Sequence, residues 1–134
     1  MLIRVSGTVP GPQGSKSFRG MSKKGHAILT ESSKKVAPWR ESVSLAAQQA
    51  QEPMLIGPVR LDVAFYLLRP QSAKNRQYPD RTPDLDKLVR STCDGLTAGG
   101  AWEDDARVVS LKASKVYVDD PRLVGASIEI RRAR

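Results

Sequence analysis

The 134-residue chain has very few of the residues that build disulfides and imidazole or thiolate metal sites. It contains one cysteine, Cys93, and one histidine, His26. A single cysteine excludes an internal disulfide and argues against a cysteine-ligated zinc site. A single histidine argues against zinc or iron sites that need several imidazoles, and against nuclease motifs built on histidine. These absences leave carboxylates as the candidate metal ligands.

Long hydrophobic runs are also missing. No stretch approaches the roughly 20 apolar residues of a membrane span, and the opening segment, residues 1–6, is too short for a signal peptide. We therefore expect an intracellular, cytoplasmic protein with no membrane partner. The length suits one domain over residues 1–134, and the hydrophobic content of 40% is ordinary for a globular chain.

Acidic residues are the minority among the charges. The chain has 14 Asp and Glu against 22 Lys and Arg, which gives a formal net charge of +8. This excess favours a nucleic acid or another anionic surface as partner, although a basic surface that serves only solubility has the same composition. Several of the acids are concentrated between residues 83 and 105. Acids gathered in one part of a basic protein suggest a divalent-metal site that faces a polyanion.

The hydrophobic pattern predicts an α+β domain. Apolar residues alternate with polar ones in four segments, which predicts strands over residues 3–9, 59–67, 109–118 and 126–130. A further short strand is conceivable over residues 26–30. Helical spacing predicts one helix from Ser32 or Ser33 to about Gln51, and a second from about Leu85 that ends at Gly99 and Gly100. We expect a single mixed sheet of about four or more strands, largely covered on one face by two main helices.

Asp84 and Asp86 stand at the predicted start of the second helix. Two residues apart inside a helix, they would point about 200° apart, so they converge only if Asp84 lies at or before the N-cap. Pro83 favours such a boundary. Helix capping explains one of these acids. Asp84 and Asp86, together with Asp104 and Asp105 before the next strand, would also provide the oxygen ligands that Mg²⁺ prefers. Mn²⁺ could take the place of Mg²⁺.

Asp86, Arg90 and Asp94 follow each other at four-residue intervals. This spacing is typical of a charged stripe on an exposed helix. It would equally allow Arg90 to stabilise negative charge on a phosphoryl group, with Asp94 orienting the guanidinium. The spacing alone does not choose between the two interpretations.

The chain resembles the RusA family of Holliday junction resolvases, which is common in phages and prophages. Four segments carry the resemblance in order: Asp84-Leu85-Asp86-Lys87-Leu88-Val89-Arg90, Asp94-Gly95-Leu96, Gly99-Gly100 and Asp104-Asp105-Ala106-Arg107-Val108. The resemblance implies a homodimeric, Mg²⁺-dependent endodeoxyribonuclease. Such an enzyme binds four-way junction DNA and nicks two opposed strands during recombination and repair.

The resemblance also assigns roles to residues. The essential aspartates of the family fall on Asp84, Asp86 and Asp105, with Asp104 adjacent, and they would hold the metal. The family's essential lysine falls on Arg90, whose guanidinium keeps the charge but cannot act as a general acid. Lys87 stands where the family usually has asparagine. In the same helix Gly95 replaces the usual alanine, which should weaken the helix slightly.

Basic residues along the chain are candidates for DNA phosphate contacts, although each taken singly is as well explained as a surface charge. They are Lys16, Lys23, Lys24, Arg69, Lys74, Arg76, Lys87, Lys112 and Lys115. Residues 11–17 have the composition of a phosphate-binding loop but not its spacing, so we expect no nucleotide cofactor. Two alternatives remain at this point: a DNA-binding protein without catalysis, and a metal-dependent nuclease without junction selectivity.

Overall fold

A computed structural model of the protein describes residues 1–14 and 33–133. The conceivable strand over residues 26–30 and the candidate DNA contacts Lys16, Lys23 and Lys24 lie outside these residues. No helix in the described ranges is both long enough and apolar enough to cross a membrane.

The strands of the described residues form one mixed sheet. They are β1 (Leu2–Ser6), β2 (Val59–Leu68), β3 (Val108–Val118) and β4 (Gly125–Arg132), arranged in the order β1-β4-β2-β3. β4 is antiparallel to both β1 and β2, whereas β2 and β3 are parallel. A parallel pair needs a crossover connection, and a helix between β2 and β3 supplies it. The predicted α+β class and single mixed sheet are confirmed.

The first strand is shorter than its alternating pattern predicts. β1 ends at Ser6 because Gly7 adopts a left-handed conformation, with φ of +82°, and turns the chain. The Gly7 amide then donates a hydrogen bond to the Val124 carbonyl at 2.9 Å. The prediction of a strand to residue 9 is therefore wrong at its end.

Two helices cover one face of the sheet. They are α1 (Ser33–Gln49) and α2 (Leu85–Ala98). Both present a buried apolar row to the alternating buried residues of β2, and the Trp39 and Phe65 rings meet with centroids 6.4 Å apart. Because β2 buries every second residue, its remaining side chains lie on the opposite face, which no helix of the described residues covers. The core therefore lies between the sheet and the helix pair.

Glycines in α2 allow the two helices to approach closely. A Cβ atom on Gly95 would lie 2.9 Å from the Arg40 carbonyl oxygen and from the Val43 side chain. One on Gly99 would lie 2.6 Å from the Ser44 carbonyl oxygen. Gly95 therefore does more than weaken the helix, because in this structure an alanine there would push α1 away from α2.

Candidate functional site

Asp84 occupies the N-cap position of α2. Its backbone is extended, with φ of −70° and ψ of 135°, and its carbonyl oxygen accepts the first helical hydrogen bond from the Leu88 amide at 3.1 Å. Its carboxylate makes no capping hydrogen bond and lies instead 3.3 Å from the Lys87 ammonium. The predicted helix boundary after Pro83 is confirmed. The capping explanation for the Asp84 side chain is not supported by this geometry.

Asp86 lies in the first turn of α2 and is exposed. A carboxylate in this turn interacts favourably with the positive end of the helix dipole. Asp84 and Asp86 therefore place two acids within the first three positions of one helix start.

Lys115 reaches the same helix start from β3. Its ammonium donates hydrogen bonds to the Arg81 carbonyl at 2.9 Å and to the Pro83 carbonyl at 3.0 Å. β3 pairs Lys115 with Phe65, which is fully buried, so Lys115 projects from the helix-covered face of the sheet. The chain before Asp84 is thus tied to the sheet.

Asp104 and Asp105 form a second acidic group, immediately before β3. Asp104 caps a one-turn 3₁₀ helix, Asp105–Arg107, and both aspartates are exposed. The hydrogen bond between the two carboxyl groups is the largest cause that raises the pKa of Asp105, and its desolvation and the charges of Asp104 and Asp94 act in the same direction. Two carboxylates close enough to share a proton repel each other once both are ionised. A divalent cation would relieve that repulsion.

The neighbouring Glu103 has a structural role. Its carboxylate accepts a hydrogen bond from the Gly57 amide at 2.9 Å and lies 3.6 Å from the Arg107 guanidinium. It therefore fixes the loop that carries Asp104 and Asp105 to the segment before β2.

The two acidic groups do not merge into one pocket. The described ranges contain no group of three or more His, Cys, Asp or Glu residues that could hold a metal ion. The predicted convergence of Asp84, Asp86 and Asp105 on one ion is therefore not assembled in this single chain.

The donor chemistry nevertheless fits magnesium. Mg²⁺ is usually bound by one or two carboxylates, with waters and substrate phosphates completing its shell. The adjacent carboxylates of Asp104 and Asp105 meet that requirement, and Asp84 and Asp86 offer further oxygen ligands at the start of α2.

Arg90 lies exposed on α2, and no ion pair within the described part of the chain involves it. Asp94, which one interpretation of the sequence paired with Arg90, lies instead 3.8 Å from the Arg40 guanidinium of α1. Sequence reasoning missed Arg40 because it is the packing of α1 on α2, not local spacing, that brings Arg40 to Asp94. In this structure Asp94 therefore makes a contact between the two helices.

The long loop between β2 and α2 is organised by two of the predicted DNA contacts. The Arg69 guanidinium lies 4.7 Å from the centre of the Tyr117 ring and donates to the Asp119 carboxylate at 2.9 Å. It also donates to the Arg76 carbonyl, and Arg76 in turn donates to the Tyr117 hydroxyl at 3.3 Å. Both arginines therefore hold the loop against β3, whereas Lys74 is exposed in the loop.

Lys112 and Lys115 project from opposite faces of the sheet. The register of β2 and β3 pairs Lys112 with Asp62, on the face opposite the helices, and Lys115 with buried Phe65. One continuous DNA surface on a single face cannot include both side chains. Sequence spacing could have shown this, since strand residues three apart point in opposite directions.

Comparison with known proteins identifies the family. The family model described as Endodeoxyribonuclease RusA matches residues 10–131. The chain is 33% identical to the uncharacterized protein YqaN of Bacillus subtilis (strain 168), in a 90-residue alignment that covers 59% of this chain and 63% of the relative. It is 32% identical to the crossover junction endodeoxyribonuclease rusA of Lactococcus phage r1t over 66 residues, which cover 49% of this chain and 50% of the relative. The chain therefore spans between half and just under two thirds of the length of these relatives. Since the family model covers most of the chain, the protein belongs to the RusA endodeoxyribonuclease family.

Proposed function

We propose that the protein is a structure-selective endodeoxyribonuclease that resolves four-way DNA junctions by paired nicks in recombination and repair. Its membership of the RusA family supports this, as does its similarity to a phage protein named as a crossover junction endodeoxyribonuclease. The observation that carries the proposal is the Asp104–Asp105 pair. Both carboxylates are exposed directly before β3, and their interaction with each other raises the pKa of Asp105.

The aspartates would hold Mg²⁺, or Mn²⁺ in its place. Asp105 with Asp104, and Asp84 with Asp86, are the proposed ligands, and one oxygen of Asp84 lies 3.3 Å from the Lys87 ammonium. When bound, such an ion supplies Lewis-acid polarisation of a phosphodiester. The remaining chemistry is that of the chain itself.

Arg90 would stabilise negative charge on the phosphoryl group. Arg90 is exposed on α2, between Asp86 and Asp94 in the helix sequence, and is therefore accessible to a DNA strand. Because arginine stays protonated at all ordinary pH values, it acts by charge and hydrogen bonding and donates no proton to the leaving oxygen.

A homodimer follows from the reaction that we propose. Resolution of a four-way junction needs two nicks related by the near two-fold symmetry of the DNA, and one chain has one set of these acids. A symmetric dimer supplies two related sites. We infer that the enzyme acts in the cytoplasm, the host cytoplasm if it is phage-encoded, where such DNA occurs.

The test is cleavage of a synthetic four-way junction with and without Mg²⁺. We expect paired symmetric nicks from the unmodified protein. Asp84→Asn and Asp105→Asn should bind the junction and cleave it at least about 100-fold more slowly, because each removes a proposed ligand of the metal ion. Glu41→Gln is the matched control, since Glu41 is an exposed acid on α1. Metal-dependent cleavage that persists in both aspartate variants would overturn the proposal.

Three observations favour a second candidate, a junction-binding protein that does not cleave. Asp84 is paired with Lys87, the described acids form no metal-holding group of three, and arginine stands at the position of the family lysine. Binding without nicks in either Mg²⁺ or Mn²⁺ would support this alternative. Equal cleavage of linear duplex would instead indicate a nuclease without junction selectivity.

A further inference from the structure

The Lys115 side chain connects β3 to the chain segment that precedes α2. Its ammonium donates to two carbonyl oxygens, those of Arg81 at 2.9 Å and Pro83 at 3.0 Å. Residue 83 immediately precedes Asp84, and Lys115 is half-buried on the helix-covered face of the sheet. A charge-assisted contact thus holds the backbone next to a proposed metal ligand.

These two hydrogen bonds hold the backbone just before α2. Carbonyl groups before a helix have no partner in its ladder of hydrogen bonds, so another group or water satisfies them. Hydrogen bonds that involve a charged group are stronger than neutral ones. With both carbonyls held, the position and direction of the Asp84 backbone follow from the position of β3.

We propose that Lys115 is a positioning residue that orients Asp84, and that it is not a DNA phosphate contact. The effect of Lys115 on cleavage rests on the proposed nuclease function, whereas its effect on the start of α2 does not. Lys112 is the natural comparison. It lies three residues earlier on the same strand, is exposed, and projects from the opposite face.

The structural effect can be measured in the full chain without DNA or metal. The Leu88 amide donates to the Asp84 carbonyl at 3.1 Å, so its hydrogen exchange reports on the first turn of α2. In Lys115→Met, which keeps most of the side-chain length, we expect roughly tenfold faster exchange at Leu88, and in Lys112→Met no change. Unchanged exchange in Lys115→Met, in a variant that melts like the unmodified protein, would overturn the proposal.

The functional effect separates positioning from DNA binding. We expect Lys115→Met to lower the single-turnover cleavage rate by roughly 10- to 100-fold, as removal of a partner of a metal ligand does, with unchanged junction affinity. Lys115→Arg, which can still donate to both carbonyls, should recover part of the rate.

Salt dependence provides the decisive contrast. A lost phosphate contact reduces the slope of log affinity against log salt by about 0.9. We expect the same slope for Lys115→Met as for the unmodified protein, and a reduced slope would overturn the proposal. If the unmodified protein cleaves no junction, the nuclease proposal fails, while the Leu88 exchange still decides the role of Lys115.

Discussion

Substitution of Thr92 by valine should destabilise the protein although it preserves the shape of the core. Thr92 and Trp39 are both fully buried, and the Trp39 indole Nε1 donates to the Thr92 hydroxyl at 3.0 Å. Valine has the same shape and a similar helix propensity, so packing is retained. The indole N–H would lose its acceptor in a place that water does not reach, which costs about 1–3 kcal/mol.

The other hydrogen bond of Thr92 contributes less to this expectation. The Thr92 hydroxyl also donates to the Leu88 carbonyl at 2.7 Å. Without it, the Leu88 carbonyl oxygen would still accept a hydrogen bond from the Ser91 hydroxyl at 3.1 Å. We therefore attribute the loss to the Trp39 indole. For a chain of this size the free-energy change corresponds to a fall in Tm of several degrees, roughly 3–5 °C per kcal/mol.

The assay is urea unfolding of the unmodified protein and of Thr92→Val, with a double-mutant cycle that includes Trp39→Phe. Thr97→Val is the parallel case, because the half-buried Thr97 accepts from the fully buried Trp102 indole at 2.7 Å. We expect a comparable loss for Thr97→Val. A Thr92→Val variant as stable as the unmodified protein, or no coupling between positions 39 and 92, would refute the reasoning.

Two further predictions concern groups near the second acidic cluster. Burial is the largest cause that raises the pKa of the Cys93 thiol to about 12, and the charges of Asp105 and Asp94 add to it. A thiol reagent at pH 8 should therefore modify the native protein far more slowly than the protein unfolded in urea. Equal rates of modification would contradict this prediction. In the folded protein the pKa of Asp105 lies above its ordinary value of 3.8. The folded state therefore binds more protons than the unfolded state, and the stability that this pair contributes falls as the pH rises through the raised pKa. Asp104→Asn should therefore have the higher Tm at pH 7 without metal, with the difference vanishing near pH 3, and a lower Tm at pH 7 would count against the Asp104–Asp105 pair.

The fold was largely predictable because its signals are local. The alternation in β2 reflects a strand with one face on the core, and Pro83 fixes the start of α2 through its own backbone restrictions. The early end of β1 depends on the conformation of Gly7, which the apolar pattern does not encode. The close approach of the helices at Gly95 also lay beyond prediction, since it depends on which residues of α1 face that glycine.

The candidate site was predictable in its residue types and less so in its arrangement. Four aspartates near α2 were identified from spacing and from the family resemblance. Whether Asp105 approaches Asp84 or Asp94 depends on the path of the chain between α2 and β3, and the charge of Asp94 contributes to the raised pKa of Asp105. The partners of Asp94 and Lys115, which are Arg40 and the Pro83 carbonyl, come from distant segments that only the packed domain brings together.

The position of α2 links the core to the proposed chemistry. Its middle is held by the Trp39–Thr92 hydrogen bond, and one face by a hydrogen bond of 2.6 Å from the Ser91 hydroxyl to the Gly11 carbonyl. Its start is held by Lys115. All the proposed catalytic groups on the helix are exposed, whereas these contacts that fix it are buried or half-buried, so a rigid element presents acids whose own side chains stay able to move. Such an arrangement would let the Asp84 side chain exchange its contact with Lys87 for the proposed cation without disturbing the backbone.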